Sequence, residues 1–350
     1  MKQIIFKKIK NVNNPYSIHG IYPYRGKISA VDAIQVISQL PNKGLLLDPF
    51  CGSGTILYEA RKHGLTVIGV DSNPIAIQIS KGKLGKVNLE DSINKIKDIM
   101  SQIDLSYQID MPEDAKRFFH KDTANQIMHL KEYYNDFTDY EKASFLGAIC
   151  LSARACNDYK WSSTQIGKIS EDKRKIDFIE KFIMKIKKHA FPIDYDSSRI
   201  IEEDTRRLSK LVPKNSVDFV YTSPPYFDAL DYTSNYTRIV HNIFSNDIAS
   251  IKKKLIQNYE NYPEDMIKCF NEIKKVTTDE AIIIFVVGNK KRGSELINGG
   301  EFFKQIIPEN PEYIIEREYS GTASKIWDKI NKTERKEQII VWDKSKWKKS

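Results

Sequence analysis

Two short segments of this 350-residue chain combine residue types that can do chemistry. In Asp48-Pro49-Phe50-Cys51-Gly52-Ser53-Gly54-Thr55, two glycines follow an acid and lead into a run of helical character. Glycines let the backbone approach a ligand closely, and a helix that starts there offers unpaired N–H groups to an anionic moiety. Asp71 closes the next apolar run, where an acid can accept from ribose hydroxyls. Such a set binds an adenosine-containing cofactor. The missing third glycine of a dinucleotide fingerprint argues against NAD, and the plain alternative is a tight turn without a ligand. In the second segment, Thr222-Ser223-Pro224-Pro225-Tyr226, adjacent prolines fix φ and set the directions of nearby carbonyls and side chains. An aromatic ring beside fixed acceptors suits a planar, amine-bearing substrate. An exocyclic amine is a poor nucleophile because its lone pair is conjugated into the ring. Acceptors on its hydrogens favour the pyramidal form and stabilise the positive charge that develops on transfer. The plain alternative here is a stiff edge loop.

The elements around these segments read as an α/β scaffold. Leu45–Leu47 forms a short buried strand ending at Asp48, Ile56–His63 a helix stopped by Gly64, and Leu65–Val70 a strand ending at Asp71. Strand, glycine turn, helix and strand make one βαβ unit, whose crossover implies a parallel sheet. Arg199–Glu202 (leading into Asp204), Val217–Thr222, Ala281–Val287, Tyr313–Glu316 and Gln338–Trp342 bring the sheet to about seven strands. A helix over Ile28–Leu40 precedes them. Between Lys83 and Pro192 the apolar period is helical, as in Ile93, Ile96, Met100, Ile103 and in Phe145, Ile149, Ala153, Cys156. Thr138-x-x-Glu141 reads as a capping box. The expected organisation is therefore a core in two halves, 1–84 and 198–343. Residues 85–197 form an inserted helical subdomain, a candidate for target recognition, and 344–350 a frayed basic tail.

Composition narrows the class. An apolar fraction of 41% with 11% aromatics excludes a disordered chain. A net charge of +9 fits a polyanionic partner, or simply a solvated basic face. No apolar run reaches the ~20 residues of a membrane helix, and Met1–Lys10 lacks the apolar core of a signal peptide. The expected location is the cytoplasm, with no membrane contact. Cys51, Cys150, Cys156 and Cys269 form no Cys-x-x-Cys pair, so neither a metal site nor a disulfide framework is expected.

The two motifs resemble those of amino-group DNA methyltransferases, and the Ser-Pro-Pro-Tyr form resembles most the enzymes that act on N4 of cytosine. Asn or Asp in place of Ser223 is more usual for adenine N6. The resemblance implies a Rossmann-like, mostly parallel seven-stranded fold and S-adenosylmethionine as cofactor. It places Asp48, Phe50, Gly52, Ser53, Gly54 and Thr55 around the methionine portion, Asp71 and Ser72 at the ribose, and Asp204 near the adenine. His19–Lys27 resembles the segment that closes over the cofactor's carboxylate, with Tyr24, Arg25 and Lys27 as contacts. Ser223, Pro224, Pro225 and Tyr226 would be catalytic. The partners implied are double-stranded DNA with its target base flipped out and a cognate restriction nuclease. Asp228, Asp231-Tyr232 and Tyr236-Thr237-Arg238 are candidates for the base pocket or a phosphate, or for an amphipathic helix. Lys160–Gln165 in the insert is a candidate DNA contact, or a solvated helix–helix loop.

Carbon-5 cytosine methylation is excluded, because it needs a Pro-Cys nucleophile and no Cys here follows a Pro. The alternatives kept are an adenine-N6 enzyme and an RNA methyltransferase acting on a guanine amino group, although the latter tend to carry Asp-Pro-Pro-Tyr. A non-catalytic regulator on the same fold has no use for the acceptor geometry of Ser223–Tyr226, and a dehydrogenase is more distant still.

Overall fold

The computed structural model describes residues 3–7, 17–24, 26–153, 175–193, 198–225, 232–234, 236–292, 295–318 and 336–347. Helix α1 (Ala30–Ile37) leads into β1 (Leu45–Asp48), α2 (Thr55–His63) and β2 (Thr66–Asp71). Gly64 ends α2 at φ +105°, a conformation that favours glycine. Helix α3 (Pro74–Leu84) starts on Asn73, whose side-chain oxygen accepts from Ile75 N at 3.0 Å. The helical region follows, with α4 (Leu89–Gln102), α5 (Glu113–Lys116), α6 (Lys121–Glu132), α7 (Asp139–Ser152) and α8 (Phe178–Lys188). Both arms of the capping box at Thr138 and Glu141 are formed, at 3.3 and 2.8 Å.

The chain then re-enters the sheet through β3 (Ser198–Glu202) and β4 (Val217–Thr222), followed by α9 (Tyr236–Ile243), α10 (Ile248–Lys254) and α11 (Tyr262–Val276). Strand β5 (Thr277–Gly288), a ribbon of β6 (Lys290–Arg292) and β7 (Glu295–Ile297), α12 (Gly299–Ile306), β8 (Tyr313–Glu318) and β9 (Lys336–Asp343) complete it. No described helix is long and apolar enough to cross a membrane.

The seven-stranded sheet has the order β3-β2-β1-β4-β5-β9-β8, and β9 alone runs against its neighbours. Ala281–Val287 is apolar at every position because β5 is central and covered on both faces. One face carries α1–α3, α9 and the helical region in a single continuous core, and the other carries α11 and α12. The helical region thus packs directly on the core. Gly82 of α3 makes room for α7, since a β-carbon there would meet Ala143 and lie 2.7 Å from the Asp139 carbonyl oxygen.

Two details depart from the sequence reading. Lys290–Arg292 pairs with Glu295–Ile297 in the short ribbon, which no alternation announced. Lys344–Trp347, expected to fray, is docked: Lys344 Nζ donates to the carbonyls of Lys274 and Thr277 at 2.9 and 2.8 Å, and the Trp347 ring lies 6.3 Å from that of Phe270. Those buried acceptors recover the desolvation cost that a basic composition alone would suggest keeps the segment in water.

Strand order reverses between β1 and β4. In open α/β sheets the crevice beyond the carboxyl ends at such a point is where ligands bind. It is there that Asp48, Asp71 and Ser223 emerge.

Candidate active site

A cavity of about 820 Å³, counting the solvent at its mouth, opens at this switch point. Its floor is the turn between β1 and α2. Gly52 and Gly54 sit at φ +48° and +68°, and a β-carbon on Gly54 would lie 2.7 Å from Ser80 Oγ. Ser80 donates to the Gly52 carbonyl at 2.8 Å and so holds the turn from behind.

Asp48, 2% exposed, accepts from the Thr222 hydroxyl at 2.6 Å and from Phe50 N at 3.2 Å. The first of these bonds ties the glycine turn to the residue preceding Ser223. Burial pushes the Asp48 carboxyl up to about 7, against the pull of its two donors. Asp71 accepts from Gly52 N at 2.9 Å and Asn73 N at 2.8 Å. The protein around it raises its pKa to about 6 in spite of those bonds. Each oxygen keeps acceptor capacity for a ligand, because a carboxylate has about four lone-pair positions.

Tyr24, Lys27, Asp48, Phe50, Gly52, Ser53, Thr55, Asp71, Ser72, Asp204 and Ser223 line one cavity, as does Pro225. Gly54 is not in its wall; it shapes the turn as the residue that caps α2. Lys27 is exposed as a residue, yet its Nζ donates to the His19 carbonyl at 2.7 Å in a part-buried bond, and desolvation lowers its pKa. Asp204 reaches the wall with its carboxylate engaged by Arg206, through Nε at 3.0 Å to each oxygen and the terminal nitrogen at 2.5 Å. Arg206 also bonds Asp265 at 2.9 Å and the Lys254 carbonyl at 3.3 Å. Thr205 donates to the Pro49 carbonyl, joining the end of β3 to the turn.

Ser223 and Pro225 line the cavity and Pro224 is buried beside them. The Pro225 carbonyl accepts from Tyr262 Oη at 2.7 Å, so α11 orients the loop. Tyr226, Arg25, Asp228, Asp231, Cys156 and Lys160–Gln165 lie outside the described residues. Tyr236–Ile243 is the amphipathic helix α9, with Ile239, Val240 and Ile243 buried. Sequence reasoning missed Ile28 and Asn73 in the wall, and the Lys254-Leu255-Ile256 segment at the end of α10, whereas Tyr232, a candidate for the base pocket, is in the wall as well. Asn73 had a signal, an Asn before Pro at a helix start. Lys254–Ile256 had none, because its position depends on Arg206.

A family model described as D12 class N6 adenine-specific DNA methyltransferase matches residues 26–283. Type II methyltransferase M.MvaI from Kocuria varians is 25% identical over 228 residues, covering 57% of this chain and 50% of that protein. Type II methyltransferase M.BsoBI from Geobacillus stearothermophilus is 23% identical over 266 residues, 64% of this chain and 52% of that one. The chain spans about half the length of these curated relatives. Among solved structures, the rRNA methyltransferase aviRa from Streptomyces viridochromogenes is 13% identical with a TM-score of 0.34, over 93% of this chain and 87% of that one. The match over residues 26–283 takes in the glycine turn, Asp71 and Ser223–Tyr226, and the chain belongs to the D12 class N6 adenine-specific DNA methyltransferase family.

Proposed function

We propose that this protein transfers a methyl group from S-adenosylmethionine to the exocyclic N4 amine of a cytosine flipped out of duplex DNA. The observation that carries the reading is the charge of the cavity. Asp48 and Asp71 stand in one wall, satisfied by hydroxyl and amide donors, and burial raises both carboxyls. A cationic ligand offsets that cost, whereas a dinucleotide pyrophosphate would meet like charge. The family implies S-adenosylmethionine, whose sulfonium supplies an activated methyl group and the matching positive charge.

The remaining work falls to the chain. Asp71 accepts from the ribose hydroxyls, and the wall formed by Lys254–Ile256 excludes water from the nucleoside end. Ser223 Oγ and the stiff loop carbonyls accept from the amine hydrogens, stabilising the positive charge that develops on the nitrogen. Tyr226 provides the face on which the flipped base stacks, recovering part of the few kcal/mol that extrusion costs. A cytoplasmic location and a cognate nuclease acting on the same site belong to this reading.

Ser223 at the head of the tetrad supports cytosine. The family description supports a second reading, adenine N6. Mass spectrometry of nucleosides from DNA treated with the protein separates them, with N4-methylcytosine expected. N6-methyladenine alone would overturn the base and keep the reaction. No methylated DNA base, with methylated RNA instead, would overturn the substrate.

A further inference from the structure

Lys83 occupies the last turn of α3, where a lysine ordinarily extends into water, yet it is 2% exposed. A lysine is almost never fully buried without partners. Its Nζ donates to Ser53 Oγ and Thr55 Oγ1, each at 3.4 Å, and to His19 Nδ1 at 3.3 Å. The other ring nitrogen of His19 lies 2.7 Å from Glu59 Oε1, which assigns the histidine hydrogen to Nε2 and leaves Nδ1 as the acceptor. Burial holds the pKa of His19 down to about 4, so the ring is neutral at pH 7. Ser53 and Thr55 line the cavity, whereas Lys83 stands behind them.

We infer that Lys83 is a positioning residue that turns the Ser53–Thr55 corner into a receptor for the carboxylate of the cofactor's amino-acid portion; the inference rests on the function proposed above. A hydroxyl is one donor with two acceptor lone pairs. When a lysine N–H occupies a lone pair of each, the hydroxyl hydrogens are left to point into the cavity. The corner then presents two directed O–H donors, with Lys27 in the same wall and its ammonium held by the His19 carbonyl. A carboxylate satisfies these donors, and the ammonium and sulfonium of the same ligand do not. That fixes which end of the cofactor enters the corner.

The surrounding charges agree with this geometry. Desolvation lowers the pKa of Lys83 well below that of a free lysine, Lys27 pushes in the same direction, and Glu59 and Cys51 oppose both. An arriving carboxylate supplies counter-charge on the cavity side and offsets part of the burial cost. Without such a ligand the arrangement is a buried amine on three neutral acceptors, with no carboxylate among them to offset the cost of burying its charge.

The experiment is calorimetric titration with two probes, S-adenosylhomocysteine and 5′-methylthioadenosine. Both carry the nucleoside and a thioether, and only the first has the amino-acid end. Lys83→Met should weaken S-adenosylhomocysteine about tenfold, the value of one charge-assisted hydrogen bond, while 5′-methylthioadenosine binds as it does to the wild type. Equal losses for both probes would mean that Lys83 merely supports the turn, and no loss for either would mean that it does nothing for the ligand; each overturns the inference. If the wild type binds neither probe, it is the proposed function that fails. Should Lys83→Met not fold, as judged by its melting curve, the Ser53→Ala/Thr55→Val variant keeps Lys83 and must show the same selective loss. Its absence would overturn the inference equally.

Discussion

Asp71→Ala is expected to weaken S-adenosylhomocysteine binding by more than one contact is worth. A charged acceptor to ribose hydroxyls is worth roughly 1.5–3 kcal/mol, or about 10- to 150-fold in Kd. The same carboxylate also accepts from Gly52 N and Asn73 N, so the substitution releases the turn as well as the ribose. Asp71→Asn should be no milder, because an amide can accept from one of those N–H groups and must point its own NH₂ at the other. The pH dependence isolates the contact. With a pKa of about 6, the carboxylate is mostly ionised at pH 7 and mostly protonated at pH 5. If the ionised form alone binds, Kd rises about tenfold between those values. Affinity is therefore lost as pH falls through 6, and Asp71→Ala, already weak, should lose none of it. Asp48, with its pKa near 7, titrates in both proteins, and because Asp71 is one of the groups that raise it, its titration in Asp71→Ala moves to lower pH. Calorimetry at pH 5, 6 and 7 gives the result. A variant that binds like the wild type, or that keeps the wild-type slope, would refute the assignment of Asp71 to the ribose.

Asp48 has a folded pKa of about 7 against 3.8 for the free group, so its contribution to stability is present below pH 4 and lost as pH rises toward 7. Asp48→Asn keeps an acceptor for Thr222, and its melting temperature should gain on that of the wild type between pH 4.5 and 7.5. Tyr262→Phe removes the donor to the Pro225 carbonyl and should slow methylation several-fold while leaving cofactor affinity unchanged, since a neutral hydrogen bond is worth about 0.5–1.5 kcal/mol. Gly147→Ala puts a methyl against the Ile21 carbonyl oxygen, with an expected stability loss of about 1–3 kcal/mol in denaturant titration and weaker S-adenosylhomocysteine binding. Tyr226→Ala should lose most activity on duplex DNA and bind cofactor normally, whereas Tyr226→Phe and Tyr226→Trp keep a π face worth about 1–3 kcal/mol; an inactive Tyr226→Phe would refute stacking.

The sheet was legible because its central strands are buried on both faces. Leu45–Leu47 and Ala281–Val287 are apolar without alternation, Val217–Thr222 is interrupted by Asp218, and glycines or prolines bound all three. The glycine turn was legible for a stereochemical reason, since φ +48° and +68° leave few residue types. What escaped was set by tertiary partners. Lys254–Ile256 has no motif and reaches the wall beside the Asp204–Arg206–Asp265 group. Lys83 reads as one more surface lysine of α3, and only the packing of α3 against α2 and Ser17–Tyr24 buries it. Asp204 shows the converse: it lines the cavity, and nothing in the sequence announced that a guanidinium would occupy both of its oxygens.

The helical region bears on the cofactor cavity in a way its sequence position hides. It enters between α3 and β3, and β3 is the edge of the sheet, so a long excursion there disturbs no interior pairing. Its closure cost also grows only slowly with length. Once folded, the excursion returns to grip the segment that leads into Tyr24 and Lys27. Lys185 Nζ donates to the Gly20 carbonyl at 2.8 Å, His189 Nδ1 meets the Ser17 carbonyl at 2.7 Å, and the Phe191 carbonyl accepts from Tyr58 Oη of α2 at 3.2 Å. Burial and the neighbouring Lys185 hold the His189 pKa down to about 3, so at pH 7 its Nδ1–H is a neutral donor to that carbonyl. Ser17–Tyr24 carries its own core residues Ile18, Ile21 and Tyr22, but no regular element beyond one 3₁₀ turn holds it in place. Its position is therefore set from outside, by α7 and α8 and, through His19, by Glu59 of α2 and Lys83 of α3. The same segment ends in Tyr24, whose ring packs beside Gly52 so closely that a β-carbon there would lie 3.3 Å from it, so α7 and α8 support the floor of the cavity.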